Sequence, residues 1–179
     1  MKNFVRILLI LVVFAVLVGV IAYGDGAMLP VDHTTTVSGV VEAQPAKVFA
    51  LITNVGDGPS WRDSVLSVEV LPPDNGRDHW IENLGHGETM DFLAVRSEPV
   101  NASGDARRDV RLNEPSASYG GTWTYELSPG ASPNQTKLRI TESGFIHPPM
   151  YRFMMAHVFG MTRNLDQYLS DIQAAAVKG

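Results

Sequence analysis

The chain has 179 residues, 45% of them apolar, with 14 basic and 19 acidic side chains, enough for one domain with a real core plus an appendage. Its formal net charge of −5 argues against nucleic acid as a partner, because that ligand wants a basic face. The absence of cysteine excludes disulfides, thiolate metal sites and cysteine nucleophiles.

Residues 7–23 carry no charge and are dominated by Leu, Val and Ile, a run at the lower edge of what spans a bilayer as a helix. Lys2 and Arg6 precede it and Asp25 follows. The positive-inside bias therefore leaves the N-terminus in the cytoplasm and sends the rest across, as a single-pass membrane protein. A cleaved secretory signal is the alternative, but its apolar core would be shorter, and Ala22-Tyr23-Gly24 is a poor cleavage site. A buried core helix is a third reading. Gly24-Asp25-Gly26 followed by Pro30 reads as a short linker. Residues 1–31 thus separate, as membrane segment and linker, from a domain over residues 32–179.

The domain begins with a β-branched strand at residues 33–41. Gln44-Pro45 opens a short helix with Val48, Phe49 and Ile52 on one face. Residues 54–60, rich in Gly and Pro, form a loop that ends at Trp61. Residues 65–71 make a second strand, with Leu66, Val68 and Val70 on one side and Ser67 and Glu69 on the other. Asn75-Gly76 predicts a hairpin turn. Residues 79–83 and 88–96 are the third and fourth strands, joined at Gly85-His86-Gly87. Residues 107–112 are the fifth. Residues 118–127 are the sixth, with Trp123, Tyr125 and Leu127 facing one way. Residues 137–143 are the seventh, with Leu138, Ile140 and Glu142 on one face. Beyond His147-Pro148-Pro149, the spacing of Met150, Phe153, Met154, His157, Met161, Leu165, Tyr168 and Ile172 predicts one long amphipathic helix to about residue 176.

Hairpin-length connections make the sheet antiparallel. The expected fold class is α+β: a curved antiparallel sheet of six to seven strands gripping a long C-terminal helix, preceded by one transmembrane helix.

Several strings in this order carry a family resemblance. They are Gln44-Pro45-Ala46-Lys47-Val48-Phe49, Trp61 with Ser64-Val65-Leu66-Ser67-Val68-Glu69-Val70-Leu71, Gly120-Gly121-Thr122-Trp123-Thr124-Tyr125, and Thr141-Glu142-Ser143-Gly144, with Phe153 to Leu169 matching the C-terminal helix. Together they resemble the START-like superfamily, also called SRPBCC or the polyketide cyclase/dehydrase and lipid transport superfamily, across the whole domain. The resemblance implies a helix-grip fold with a cavity between sheet and helix, often used for hydrophobic ligands. Members range from lipid carriers and coenzyme Q-binding proteins to cyclases. No catalytic motif is common to them, so none carries over. The membrane segment departs from the usual soluble single domain.

On that reading Trp80, Met90, Phe92, Trp123, Tyr125, Phe153, Met154 and Met161 line the cavity. Ordinary core is the competing account, since periodicity cannot separate the two. Methionine suits irregular apolar ligands. Glu142 places a carboxylate on the inner face, as a polar anchor or general acid; a structural ion pair explains such a group equally well. His157, on the apolar stripe of the helix, is either a ligand contact or a satisfied core histidine. Arg107, Arg108 and Arg111 read as a solvated face rather than a headgroup site. His79, His86 and His147 lack metal-ligand spacing, so no metal is expected. There is no nucleophile elbow, phosphate loop or dinucleotide fingerprint, and no cofactor is expected.

Three functions follow. The first is a membrane-anchored domain that binds a lipid, quinone or similar hydrophobic small molecule without catalysis, held to the bilayer by residues 7–23. The second is a cyclase- or hydratase-like enzyme that uses Glu142 with His157 as helper. The third is a membrane-tethered scaffold with a closed cavity, whose protein partner the sequence does not identify.

Overall fold

The computed structural model describes residues 2–113 and 118–178. Helix α1 spans Lys2–Met28, and its most apolar 18-residue stretch has no buried residue. It is therefore not a core helix of this domain. By length and composition it is able to cross a membrane. The expected linker at Gly24-Asp25-Gly26 is instead the last turn and a half of α1. Both glycines stay helical because tertiary contacts at that end outweigh their poor propensity.

Strand β1 (Asp32–Val41) leads to α2 (Pro45–Thr53), with proline in its first turn. A 3₁₀ turn, Val55–Ser60, follows. Six strands, each paired with the next in sequence, complete the sheet: β2 (Ser67–Asp74), β3 (Arg77–Gly85), β4 (Glu88–Glu98), β5 (Ala106–Leu112), β6 (Tyr119–Pro129) and β7 (Thr136–Ile146). All seven strands pair antiparallel in the order β1-β7-β6-β5-β4-β3-β2. Asn75 and Gly76 both take positive φ, as a tight hairpin turn requires.

The link through α2 and the 3₁₀ turn carries the chain from one sheet edge, β1, to the other, β2. The 3₁₀ turn covers β2, with Gly58 facing Val68 and Gly56 facing Val70. Leu66 and Val70 are consequently 64% and 62% exposed, so the apolar side expected for this strand is mostly not core.

The C-terminal stretch is not one long helix. It comprises α3 (Pro149–Met154), a π-helical turn at Met155–Phe159, a break at Gly160 with φ of 85°, and α4 (Arg163–Lys178). Only α4 lies on the sheet, burying Leu165, Leu169, Ile172 and Ala176. Leu169 closes over Gly39 of β1. Lys47 Nζ donates to the Ala176 carbonyl at 2.7 Å, satisfying an orphan acceptor at the negative end of α4.

The α3 and π-turn segment packs instead against the end of α1. A Cβ on Gly26 would run into the Pro149 carbonyl oxygen, so glycine is what lets the two backbones meet. Arg152 is buried at this junction. Its Nε donates to the Gly26 carbonyl at 2.8 Å, and its Nη1 donates to the carbonyls of Ile146 and His147.

Candidate ligand cavity

Strand alternation decides which side chains face α4. Cross-strand register sets Trp80 opposite Phe92, and Trp123 opposite both Val110 and Glu142. These residues, with Met90, Tyr125, Leu51 and Ile52 of α2, and Tyr168 of α4, enclose a cavity of about 350 Å³ between sheet and helices. That is at the small end of the range of about 300–1,000 Å³ typical of small-molecule sites.

The walls are aromatic and mutually braced. Trp80 stacks on Phe92 at 5.5 Å between centroids, and Phe92 meets Trp123 edge-on at 5.8 Å. Trp61 meets Tyr168 edge-on at 5.6 Å, and Tyr168 lies 5.4 Å from Tyr125.

Into this apolar space point two sets of polar groups. At one, Arg62 grips Glu82 with both prongs, Nη1 to Oε1 at 2.7 Å and Nη2 to Oε2 at 3.0 Å. Trp80 Nε1 also donates to Glu82 Oε1, at 3.2 Å. The Arg62 guanidinium lies 5.0 Å from the Tyr168 ring centroid, within cation–π range. Burial alone would lower the Arg62 pKa, but the hydrogen bond and charge of Glu82 outweigh it and raise it. Burial first, and the neighbouring Tyr168, hold the Tyr125 phenol well above its ordinary value. Burial raises Tyr168 as well, against the opposing charge of Arg62. Both phenols are neutral donors at physiological pH.

At the other, Glu142 of β7 lines the cavity, and His33 of β1 lies behind it, Nε2 to Oε1 at 3.5 Å. Among the described residues, His33 Nδ1, Thr35 Oγ1 and Trp61 Nε1 are buried with no hydrogen-bond partner. Trp61 itself is in the cavity wall.

Of the residues expected from the sequence, Trp80, Met90, Phe92, Trp123, Tyr125 and Glu142 line this cavity. Phe153, Met154, His157 and Met161 do not. They lie before the start of α4, on the segment that docks on α1. His157 is 49% exposed and its Nε2 donates to Asp25 at 2.8 Å, so it does not assist Glu142. Met161 lines a separate small pocket. Nothing lies within 4 Å of a Cβ built at Gly160, whose glycine answers the positive φ rather than a close approach.

Sequence reasoning missed Arg62 and Glu82. Glu82 shares parity with Trp80 on β3, which is the argument that singled out Glu142, and applying it there would have found the residue. Arg62 sits in an irregular link where no periodicity speaks. Arg108 is a further correction: it faces inward at 1% exposure, 5.5 Å from the Trp80 ring centroid. Its Nη2 lies 3.1 Å from Asp78 Oδ2, close enough to attract but without hydrogen-bond geometry, leaving Nε and Nη2 unpartnered among the described residues. No group of three His, Cys, Asp or Glu able to hold a metal occurs among the described residues.

A family model described as polyketide cyclase/dehydrase and lipid transport matches residues 32–177. No curated protein sequence matches the chain. Among solved structures, the Zhui aromatase/cyclase of a Streptomyces species superposes with a TM-score of 0.64 at 14% identity, covering 82% of this chain and 94% of that one. A START superfamily protein from Mycobacterium smegmatis gives 0.61 at 12% identity, covering 82% and 98%. Norcoclaurine synthase from Thalictrum flavum gives 0.59 at 11%, covering 87% and 91%. At these identities the likeness is one of fold.

Proposed function

Because the chain belongs to the polyketide cyclase/dehydrase and lipid transport family, we propose that its domain binds a hydrophobic small molecule, a lipid, a quinone or a ring of similar size, without transforming it. The observation that carries this reading is the sheet–helix cavity itself, apolar and aromatic, with its strongest charges already spent on each other. Arg62 and Glu82 neutralise one another, which suits an uncharged ligand better than an ionic one. The neutral Tyr168 phenol and the Glu142 carboxylate, both in the wall, supply a few polar groups for a carbonyl or hydroxyl.

The same reading takes α1 as an uncleaved membrane anchor. Lys2 and Arg6 before the apolar run keep the N-terminus in the cytoplasm and put the domain on the extracytoplasmic side. Support comes from the helix's length and from the docking of its end onto α3, a contact that a cleaved signal would have no reason to make. Residues 32–179 then act as one domain held beside the bilayer.

Catalysis is the second reading, favoured by Glu142 reaching the cavity with His33 3.5 Å behind it. That is a carboxylate and an orienting base, the minimum for moving a proton. Cyclisation or hydration of a cyclic or polyketide-like substrate would be the reaction class; a structure named as an aromatase/cyclase shares the fold.

The test is native mass spectrometry with lipid extraction on the full-length protein purified from membranes. Binding predicts a stoichiometric apolar molecule that Met90→Trp, which fills the cavity, expels. Protein that is free of ligand in both forms would overturn the binding reading. A ligand released chemically altered by wild type and unaltered by Glu142→Gln would establish the enzyme instead.

A further inference from the structure

A second pocket, of about 200 Å³, lies where α1, β1 and the π-turn meet, lined by Leu29, Val31, His33, Ile146, Ala156 and Met161 among others. Two charged residues also border it: the Arg152 guanidinium is committed to the carbonyls of Gly26, Ile146 and His147, and Asp32 is exposed at the rim, so the pocket is chiefly apolar. It is smaller than whole-ligand sites of about 300–1,000 Å³, so it suits part of a molecule, such as a stretch of alkyl chain.

Two relationships give it a role. The first is depth. Residues 24–28 separate the end of the apolar run from Leu29, about 8 Å of helix rise. The headgroup layer on each side of a bilayer is about 5–8 Å thick, so the pocket opens at that layer. The α3 and π-turn segment exposes Tyr151, Val158 and Phe159, side chains suited to that boundary. The second is adjacency. His33 walls this pocket, Glu142 walls the main cavity, and the two side chains stand 3.5 Å apart. His33 Nδ1 has no partner among the described residues, so few bonds hold the ring in place.

We propose that this pocket is the bilayer-side entrance to the cavity: it receives the acyl chain of a lipid from the leaflet beneath the domain, and His33 with Glu142 forms the partition the chain displaces. The proposal rests on the anchored, ligand-binding reading above.

The test uses the full-length protein in phosphatidylcholine and phosphatidylglycerol vesicles containing a trace of phosphatidylcholine with a diazirine at the end of one chain. After illumination, adducts are mapped by peptide mass spectrometry. Adducts are expected on the apolar run of α1, on residues 29–33 and 156–161, and on the cavity strands β4 and β6. Ala156→Trp and Met161→Trp should lower cavity labelling at least tenfold while α1 labelling stays unchanged. Ala156 is exposed at the rim, so a larger side chain there does not press on the core. Cavity labelling that neither variant changes, or labelling that stops short of the cavity, overturns the entrance while leaving the anchor intact. Absence of label on α1 overturns the anchored reading, and the entrance with it.

Discussion

Arg62 and Glu82 face each other end to end at the wall of the cavity, two parallel N–H···O bonds of 2.7 and 3.0 Å between a residue of the irregular link and one of the central sheet. Glu82 is only 4% exposed, so Arg62 is what offsets its removal from water. Arg62→Ala should therefore destabilise the domain by about 3–5 kcal/mol, the cost of stranding a buried ion. Arg62→Met together with Glu82→Leu should recover most of the loss. Urea unfolding of the single and double variants measures both, and equal losses would show that the pair is not coupled.

The two cavity phenols make stability fall in alkali. Folded Tyr125 and Tyr168 hold their protons above the ordinary pKa of 10.0. Their contribution is thus complete below about pH 10 and is lost as pH rises through the folded values. Over that window the unfolded chain releases protons that the folded chain keeps, so stability declines by up to about 1.4 kcal/mol per pH unit for each tyrosine. Tyr125→Phe should flatten the decline, as read by denaturant midpoints at stepped pH. An unchanged slope would mean that other groups govern it.

Arg108 carries a charge at the core beside Trp80, and its carboxylate partner Asp78 is more than half exposed. Removing the charge leaves Asp78 in water rather than stranded. Arg108→Met should be neutral or stabilising, by up to about 4 kcal/mol, whereas Arg108→Ala should destabilise through lost packing. Thermal unfolding of the two variants separates charge from volume.

At the α1 junction, Gly26→Val should separate α1 from α3, since no side chain fits against the Pro149 carbonyl. Hydrogen exchange is expected to speed up over residues 24–31 and 149–159 while the sheet and α4 keep their protection. Faster exchange throughout the sheet would show that the junction supports the whole domain.

The order of elements was legible in the sequence because hairpin turns and two-residue alternation are local properties. Alternation alone puts Trp123 and Tyr125 on one face of their strand, and Glu142 with Leu138 and Ile140 on one face of theirs; Trp80 enters only through the family resemblance. The C-terminal segment misled for a physical reason. Apolar spacing reports that a helix has a buried side, not what buries it. The pattern runs on across Gly160, although its first half meets α1 and only its second half meets the sheet. Leu66 and Val70 looked equally core-like because alternation cannot reveal that β2 is an edge strand. Arg62 came from a segment with no period, and its pairing with Glu82 exists only once the link folds over the sheet.

The continuity of α1 through Met28 and its bonding to Arg152 have a consequence for reach. A domain on a loose tether explores a hemisphere and can hand cargo to a distant acceptor. This one is fixed to a rod with no free swivel, so on the anchored reading it keeps one attitude toward the lipid beneath it. On that reading any acceptor of a bound molecule has to come to the domain, because the domain does not swing out to meet it.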